Sequence, residues 1–157
     1  MFIIEHRISK EFLVAEVIPI EEQDFKHITK IKFWFNWKKE KEHDVYKIRI
    51  KGTTGILGLL SLENHPEESR IEIRLLAVSK ENRGRKRKYG HIAGNLIASA
   101  CIRTLKQYGE WACVSLVPKT DLIDHYMKKY KFQRAGRSLF LDGRELIELI
   151  RRYDHDG

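Results

Sequence analysis

The chain has 157 residues, 42% apolar and 33% charged, with 30 lysines and arginines against 22 aspartates and glutamates for a formal charge of +8. That balance suits one compact domain and excludes a disordered or membranous chain. No apolar run approaches the roughly 18–20 residues of a membrane span, and the opening Met1-Phe2-Ile3-Ile4 meets charge at Glu5, too soon for a signal-peptide core, so a cytoplasmic protein is expected.

Two apolar stretches, residues 2–8 and 12–18, predict an opening strand pair around Ser9-Lys10-Glu11. Pro19 ends the second, and Glu21-Glu22-Gln23-Asp24 supplies an acidic first turn. Phe25, Ile28, Ile31 and Phe35 then recur at helical spacing, predicting a helix over 21–38. Alternation over 45–50 predicts a half-exposed strand, and Lys51-Gly52-Thr53-Thr54-Gly55 a turn. A more apolar strand follows at 56–62, then a polar loop at 64–69 and a strand at 70–79. Residues 80–90 form a basic loop. Residues 92–108 carry Ile92, Leu96, Ile97, Ala100, Cys101 and Leu105 on one helical face, with Gly109 as the stop. A short strand at 112–117, a helix at 122–130 capped by Asp121, and a strand at 137–141 come next. Asp142 and Glu145 form a capping-box pattern ahead of a terminal helix.

The order ββαβββαβαβα predicts an α/β (α+β) fold, a mixed sheet flanked by helices in a single domain. The segment after residue 70 could place two neighbouring strands parallel through a helical crossover. Cys101 and Cys113 sit in apolar surroundings outside any CxxC spacing and read as free thiols. No histidine, cysteine or carboxylate set shows metal-ligand spacing, so no metal is expected.

The positive charge directs the protein toward a polyanion, and its placement narrows the choice. The strand ending Leu76-Ala77-Val78 runs into a loop holding Arg83, Arg85, Lys86, Arg87 and Lys88, then into a helix opening Ile92-Ala93-Gly94. Unpaired N–H groups at a helix start attract anions, and small residues at Gly90, Ala93 and Gly94 would let a phosphate approach the backbone. This reads as a pyrophosphate-binding turn.

Here the sequence resembles the GNAT family of N-acetyltransferases. Their CoA-binding motif, Gln/Arg-x-x-Gly-x-Gly/Ala, aligns with Lys88-Tyr89-Gly90-His91-Ile92-Ala93, with lysine in the first place and His91 where the first glycine belongs. The loop before it is about five residues longer than the family's usual one. Glu72 to Val78 is similar to the fourth strand, whose backbone pairs with the pantetheine arm, and Gly55-Ile56-Leu57-Gly58-Leu59 to the third. Tyr126-Met127-Lys128-Lys129-Tyr130-Lys131-Phe132 is similar to Tyr-x-x-x-Gly-Phe, with Lys131 in the glycine's place. The likeness spans residues 45–132; the family usually ends in a strand, where this sequence predicts a helix.

The resemblance implies acetyl-CoA as cosubstrate and a primary amine as acceptor, joined by direct attack in a ternary complex. It implies Tyr126 as proton donor to the thiolate and Glu72 as general base, with Glu63, His65, Glu67 and Glu68 as other candidates for the base. Cofactor contacts are expected from Leu76, Ala77 and Val78, where a strand N–H near 77–78 would stabilise the oxyanion. They are also expected from Arg83, Lys88, Tyr89, Gly90, His91, Ile92, Ala93 and Gly94. A homodimer is common among similar proteins. Two other readings stay open: a CoA-binding module without catalysis, and a basic nucleic-acid-associated protein. The second is disfavoured because Tyr89 is the only ring close to the loop cations.

Overall fold

The computed structural model describes residues 1–155. Its strands are β1 (Phe2–His6), β2 (Phe12–Pro19), β3 (Asp44–Ile50), β4 (Gly58–His65), β5 (Arg70–Val78), β6 (Tyr89–Gly90), β7 (Cys113–Leu116), β8 (Gln133–Ala135) and β9 (Ser138–Asp142). They form one sheet in the order β6-β1-β2-β3-β4-β5-β7-β9-β8. Only β5 and β7 pair in parallel; every other neighbouring pair is antiparallel. The helices are α1 (Lys30–Phe33), α2 (Ile92–Tyr108), α3 (Ile123–Tyr130) and α4 (Gly143–Tyr153). The expected mixed sheet with flanking helices is present, and α2 is the crossover between its two parallel strands. No described helix is long and apolar enough to cross a membrane.

Helix α2 is the centre of the larger core. Leu96, Ile97, Ala98, Ala100 and Cys101 are fully buried in it against the sheet and α4. Each large aliphatic chain so placed contributes about 1.5–3 kcal/mol relative to exposure. A Cβ on Gly58 would lie 3.0 Å from Ile92 Cγ2, Leu96 Cδ1 and the Ala77 carbonyl, so the glycine lets α2 lie directly on β4. A second core on the opposite face gathers Ile28, Phe33, Trp37, Leu59 and Ala77.

The helix expected over 21–38 is broken into three pieces. A 3₁₀ turn spans Glu22–His27, α1 spans Lys30–Phe33, and another 3₁₀ turn spans Trp37–Glu40. Ile28 is extended at φ −100°, ψ 95°; Thr29 then caps α1 by accepting the Lys32 N–H, and Trp34 ends it at φ +70°. Periodicity alone missed these breaks because tertiary polar contacts hold the fragments. Asp24 accepts from the Glu21 N–H and from the buried Lys47 ammonium, both at 2.7 Å. Glu40 accepts from Ser61 Oγ at 2.9 Å and Arg74 Nε at 3.0 Å.

Two expected caps differ as well. Asp121 lies within a 3₁₀ turn, Thr120–Leu122, and α3 starts after it with no side-chain cap. Asp142 does precede α4, but its carboxylate makes no capping bond. The expected polar loop at 64–69 is partly strand, because β4 continues to His65. β6 and β8 lie in segments expected to be loop.

Candidate active site

The parallel pairing of β5 with β7 covers only Arg70–Ile73 and Cys113–Leu116. Beyond Leu116 the β7 chain leaves through Val117 and Pro118, while β5 continues to Val78 with β4 as its only strand partner. The strands therefore part, and a cavity of about 750 Å³ opens between them.

Register decides which backbone groups face that opening. The Ser79 N–H bonds the Leu57 carbonyl at 2.9 Å, and Gly58↔Val78, Leu59↔Ala77, Leu60↔Leu76 and Ser61↔Leu75 pair without a break. Antiparallel ladders alternate, so Ala77 and Leu75 direct their N–H and C=O groups to β4. Leu76 and Val78 direct theirs to the free edge. The oxyanion donor expected near 77–78 thus has its candidates in Leu76 and Val78 rather than Ala77. The register then jumps to Leu62↔Ile73, leaving Arg74 as a bulge. Ile71 and Ile73 face the larger core, but past the bulge Leu75 faces the smaller one and Leu76 the larger.

Helix α2 opens onto the cavity, and Ile92, Ala93 and Gly94 line it. His91 immediately before it has φ +73°, a conformation glycine adopts freely and other residues at a cost. The histidine therefore keeps the backbone shape of the glycine it replaces. Lys131, at the end of α3, does the same at φ +65°. Gly94 has a different role from the phosphate approach expected of it. A Cβ there would lie 2.1 Å from Tyr153 Cζ, so its missing side chain makes room for a ring delivered by α4.

The loop cations divide. Arg83 lines the cavity, stacks 4.1 Å over the Trp34 ring, and donates to the Val78 carbonyl at 2.5 Å and the Lys32 carbonyl at 3.1 Å. Its Nη1 is buried without a partner among the described residues, and burial pulls its pKa down from the ordinary value. Arg87 and Tyr89 also line the cavity. Lys88 and Gly90 do not: the Lys88 carbonyl accepts from Arg7, and Gly90 pairs with Glu5 in the sheet.

Tyr126 of α3 shares the cavity wall with Leu76, Ala77 and Val78. Its ring meets Phe132 edge-on at 5.9 Å and Tyr130 at 5.8 Å. Burial raises its pKa, so the phenol keeps its proton at neutral pH. Burial and the Lys129 charge hold neighbouring His125 below its ordinary value, favouring the neutral ring.

Glu72 does not line the cavity. It faces Glu63 across the β4–β5 ladder, and its Oε1 lies 3.1 Å from His65 Nε2 and 3.6 Å from Arg70 Nη1. Glu63, His65 and Glu72 bring their polar atoms within 4.8 Å of one another, a set the sequence spacing did not flag. Arg70 and Arg74 neutralise its carboxylates. Arg74, one strand repeat from Glu72, reaches the cavity. Sequence reasoning also missed Lys129, Tyr130 and Tyr153, all of which line the cavity; Tyr153 follows the family signature by some twenty residues and had no motif to mark it.

No protein-family model and no curated protein matches the sequence. Solved structures do match in shape. A spermidine N-acetyltransferase chimera from Vibrio cholerae and hSSAT superposes with a TM-score of 0.64 at 12% identity, covering 85% of this chain and 98% of that one. A Bacillus subtilis acetyltransferase in complex with CoA gives 0.57 at 13% identity, covering 83% and 98%. The ribosomal-protein-S18-alanine N-acetyltransferase from Escherichia coli gives 0.57 at 10%, covering 81% and 91%. The fold is that of the GNAT N-acetyltransferases. The last described helix, α4, is the terminal helix that the sequence predicts.

Proposed function

We propose that the protein transfers the acetyl group of acetyl-CoA to a primary amine by direct attack, with both substrates bound at the parting of β5 and β7. One observation carries this reading: the free edge at Leu76 and Val78 faces the same cavity as the protonated Tyr126 and the opening turn of α2. An unpaired strand edge suits the amides of a pantetheine arm, and a helix start suits the phosphates. Arg83, whose Nη1 has no partner among the described residues, adds a cation to the cavity wall. That several similar structures carry CoA or acetyl-CoA supports the same reading.

In the proposed reaction the amine lone pair attacks the thioester carbonyl carbon. Negative charge then gathers on the carbonyl oxygen, where a Leu76 or Val78 N–H would stabilise it. The C–S bond breaks as the intermediate collapses, and the Tyr126 O–H gives its proton to the sulfur. The proton lost by the amine passes through water to the Glu72–His65 pair, one strand repeat from the cavity residue Arg74. Trp34 and Phe35 line the acceptor side.

The test is CoA release from acetyl-CoA across a panel of amines, with Tyr126→Phe beside the wild type. The expected result is amine-dependent release that falls about 10²-fold in the variant, with acetyl-CoA affinity unchanged. An unaltered rate would remove Tyr126 from the chemistry. No release with any amine would remove the transferase reading while leaving cofactor binding to be judged separately.

A further inference from the structure

Arg87 from the loop, Lys129 from α3 and Arg152 from α4 are three cations drawn together without an acid. Arg87 and Lys129 line the cavity. Arg152 Nη1 donates to the Lys129 carbonyl at 2.5 Å, which fixes the guanidinium at the end of α3. Arg87 Nη1 donates to the Gly84 carbonyl of its own loop at 3.1 Å. None of the three forms an ion pair among the described residues, whereas Arg49, Arg70, Arg74 and Arg144 all do. Burial, with the nearby Arg87 and Arg152 charges, depresses the Lys129 pKa, the signature of a cation among cations.

The position of Arg152 is built rather than incidental. Its neighbour Tyr153 is buried against Gly94, in a space only glycine leaves, and the Tyr153 ring stands 6.5 Å from both His91 and Tyr130. The last turn of α4 is thus pinned between the start of α2 and the end of α3. Such convergence of like charge is unfavourable unless an anion relieves it.

We propose that Arg87, Lys129 and Arg152 form a phosphomonoester site that takes the 3′-phosphate of CoA, making the C-terminal helix part of the cofactor pocket. This rests on the acetyl-CoA reading above. The set belongs to the loop, α3 and α4 rather than to the α2 turn, so it offers a second anion position beside the one a pyrophosphate would occupy. A phosphomonoester carries a charge of about −1.5 to −2 at neutral pH, which three cations would balance.

The experiment is calorimetric titration with CoA and with dephospho-CoA, which differ only in the 3′-phosphate. The proteins are the wild type, Lys129→Gln, Arg152→Gln, the double variant, and Lys51→Gln as a control for net charge. Lys129→Gln leaves the Arg152 contact to the backbone carbonyl in place and so guards against a folding artefact. The wild type and Lys51→Gln are expected to bind CoA at least about tenfold tighter than dephospho-CoA. The preference is expected to shrink in each single variant and to vanish in the double variant, with dephospho-CoA affinity unchanged throughout. Equal wild-type affinities for the two ligands, or a preference that survives both substitutions, would overturn the site while leaving the acetyl-CoA reading intact. Failure of the wild type to bind either ligand would overturn both.

Discussion

On the α2 side of the cavity the restraints are strand pairing and apolar packing; on the side formed by residues 20–43 a smaller apolar core is joined by a few buried polar contacts. The β4–β5 ladder and the buried face of α2 place Leu76, Val78 and the helix start through many small, mutually supporting contacts. The opposite wall, which carries Trp34 and Phe35, is three short helical fragments tied down by Asp24–Lys47 and by Glu40 to Ser61 and Arg74. The first arrangement spreads its stability over many contacts. The second adds a few buried charges to the smaller core of Ile28, Phe33 and Trp37, which makes that wall sensitive to pH.

The largest effect should come from breaking one of those charges. Lys47→Ala leaves Asp24 buried without its cation and is expected to cost about 3–5 kcal/mol in urea unfolding. A loss below about 1 kcal/mol would mean the ties do not hold the wall. Acid should do the same gradually. Burial alone would raise the Asp24 and Glu40 pKa values, but hydrogen bonds and neighbouring cations outweigh it and hold both carboxyls below their ordinary values. Because the folded values are depressed, the stability they contribute is complete above about pH 4.5 and is lost as pH falls through the folded values. Glu40→Gln should flatten that acid limb in a series of melting temperatures against pH.

On the packed side, Gly94→Ala drives a methyl into the Tyr153 ring and should destabilise by about 1–3 kcal/mol. Combined with Tyr153→Ala the clash has no partner, so the double variant should be more stable than the sum of the single losses implies. Simple additivity would show that the two residues do not meet. Smaller and opposite in sign are His91→Gly and Lys131→Gly, which relieve left-handed residues and should each gain about 0.5–1 kcal/mol. Destabilisation by either would contradict the assignment of glycine-like backbone at those places.

The same division explains what could be read from the residues alone. Alternation and helical periodicity report burial on a regular element, so the strand at 70–78, α2 and the terminal helix were visible. The motifs aligned with Lys88–Ala93 and Tyr126–Phe132 were legible although each lacks a glycine, because His91 and Lys131 preserve the backbone angles while hiding the letters. The breaks at Ile28 and Trp34 were hidden because the contacts that favour them, such as Lys47 to Asp24, are distant in sequence. Glu72 is implied as base by the family resemblance alone, and the bulge at Arg74 shifts strand parity between it and the cavity residues Leu76–Val78. Tyr153 lies beyond any motif and reaches the cavity only through the packing of α4 on α2.

The central claim is that the parting of β5 and β7 is an acetyl-CoA site, and the most direct measurement is the thermal unfolding of the wild type with and without the cofactor. Stabilisation that grows with the logarithm of concentration is expected, reaching about 2.7 kcal/mol at roughly 100 times Kd. An unchanged melting temperature at millimolar acetyl-CoA would contradict it.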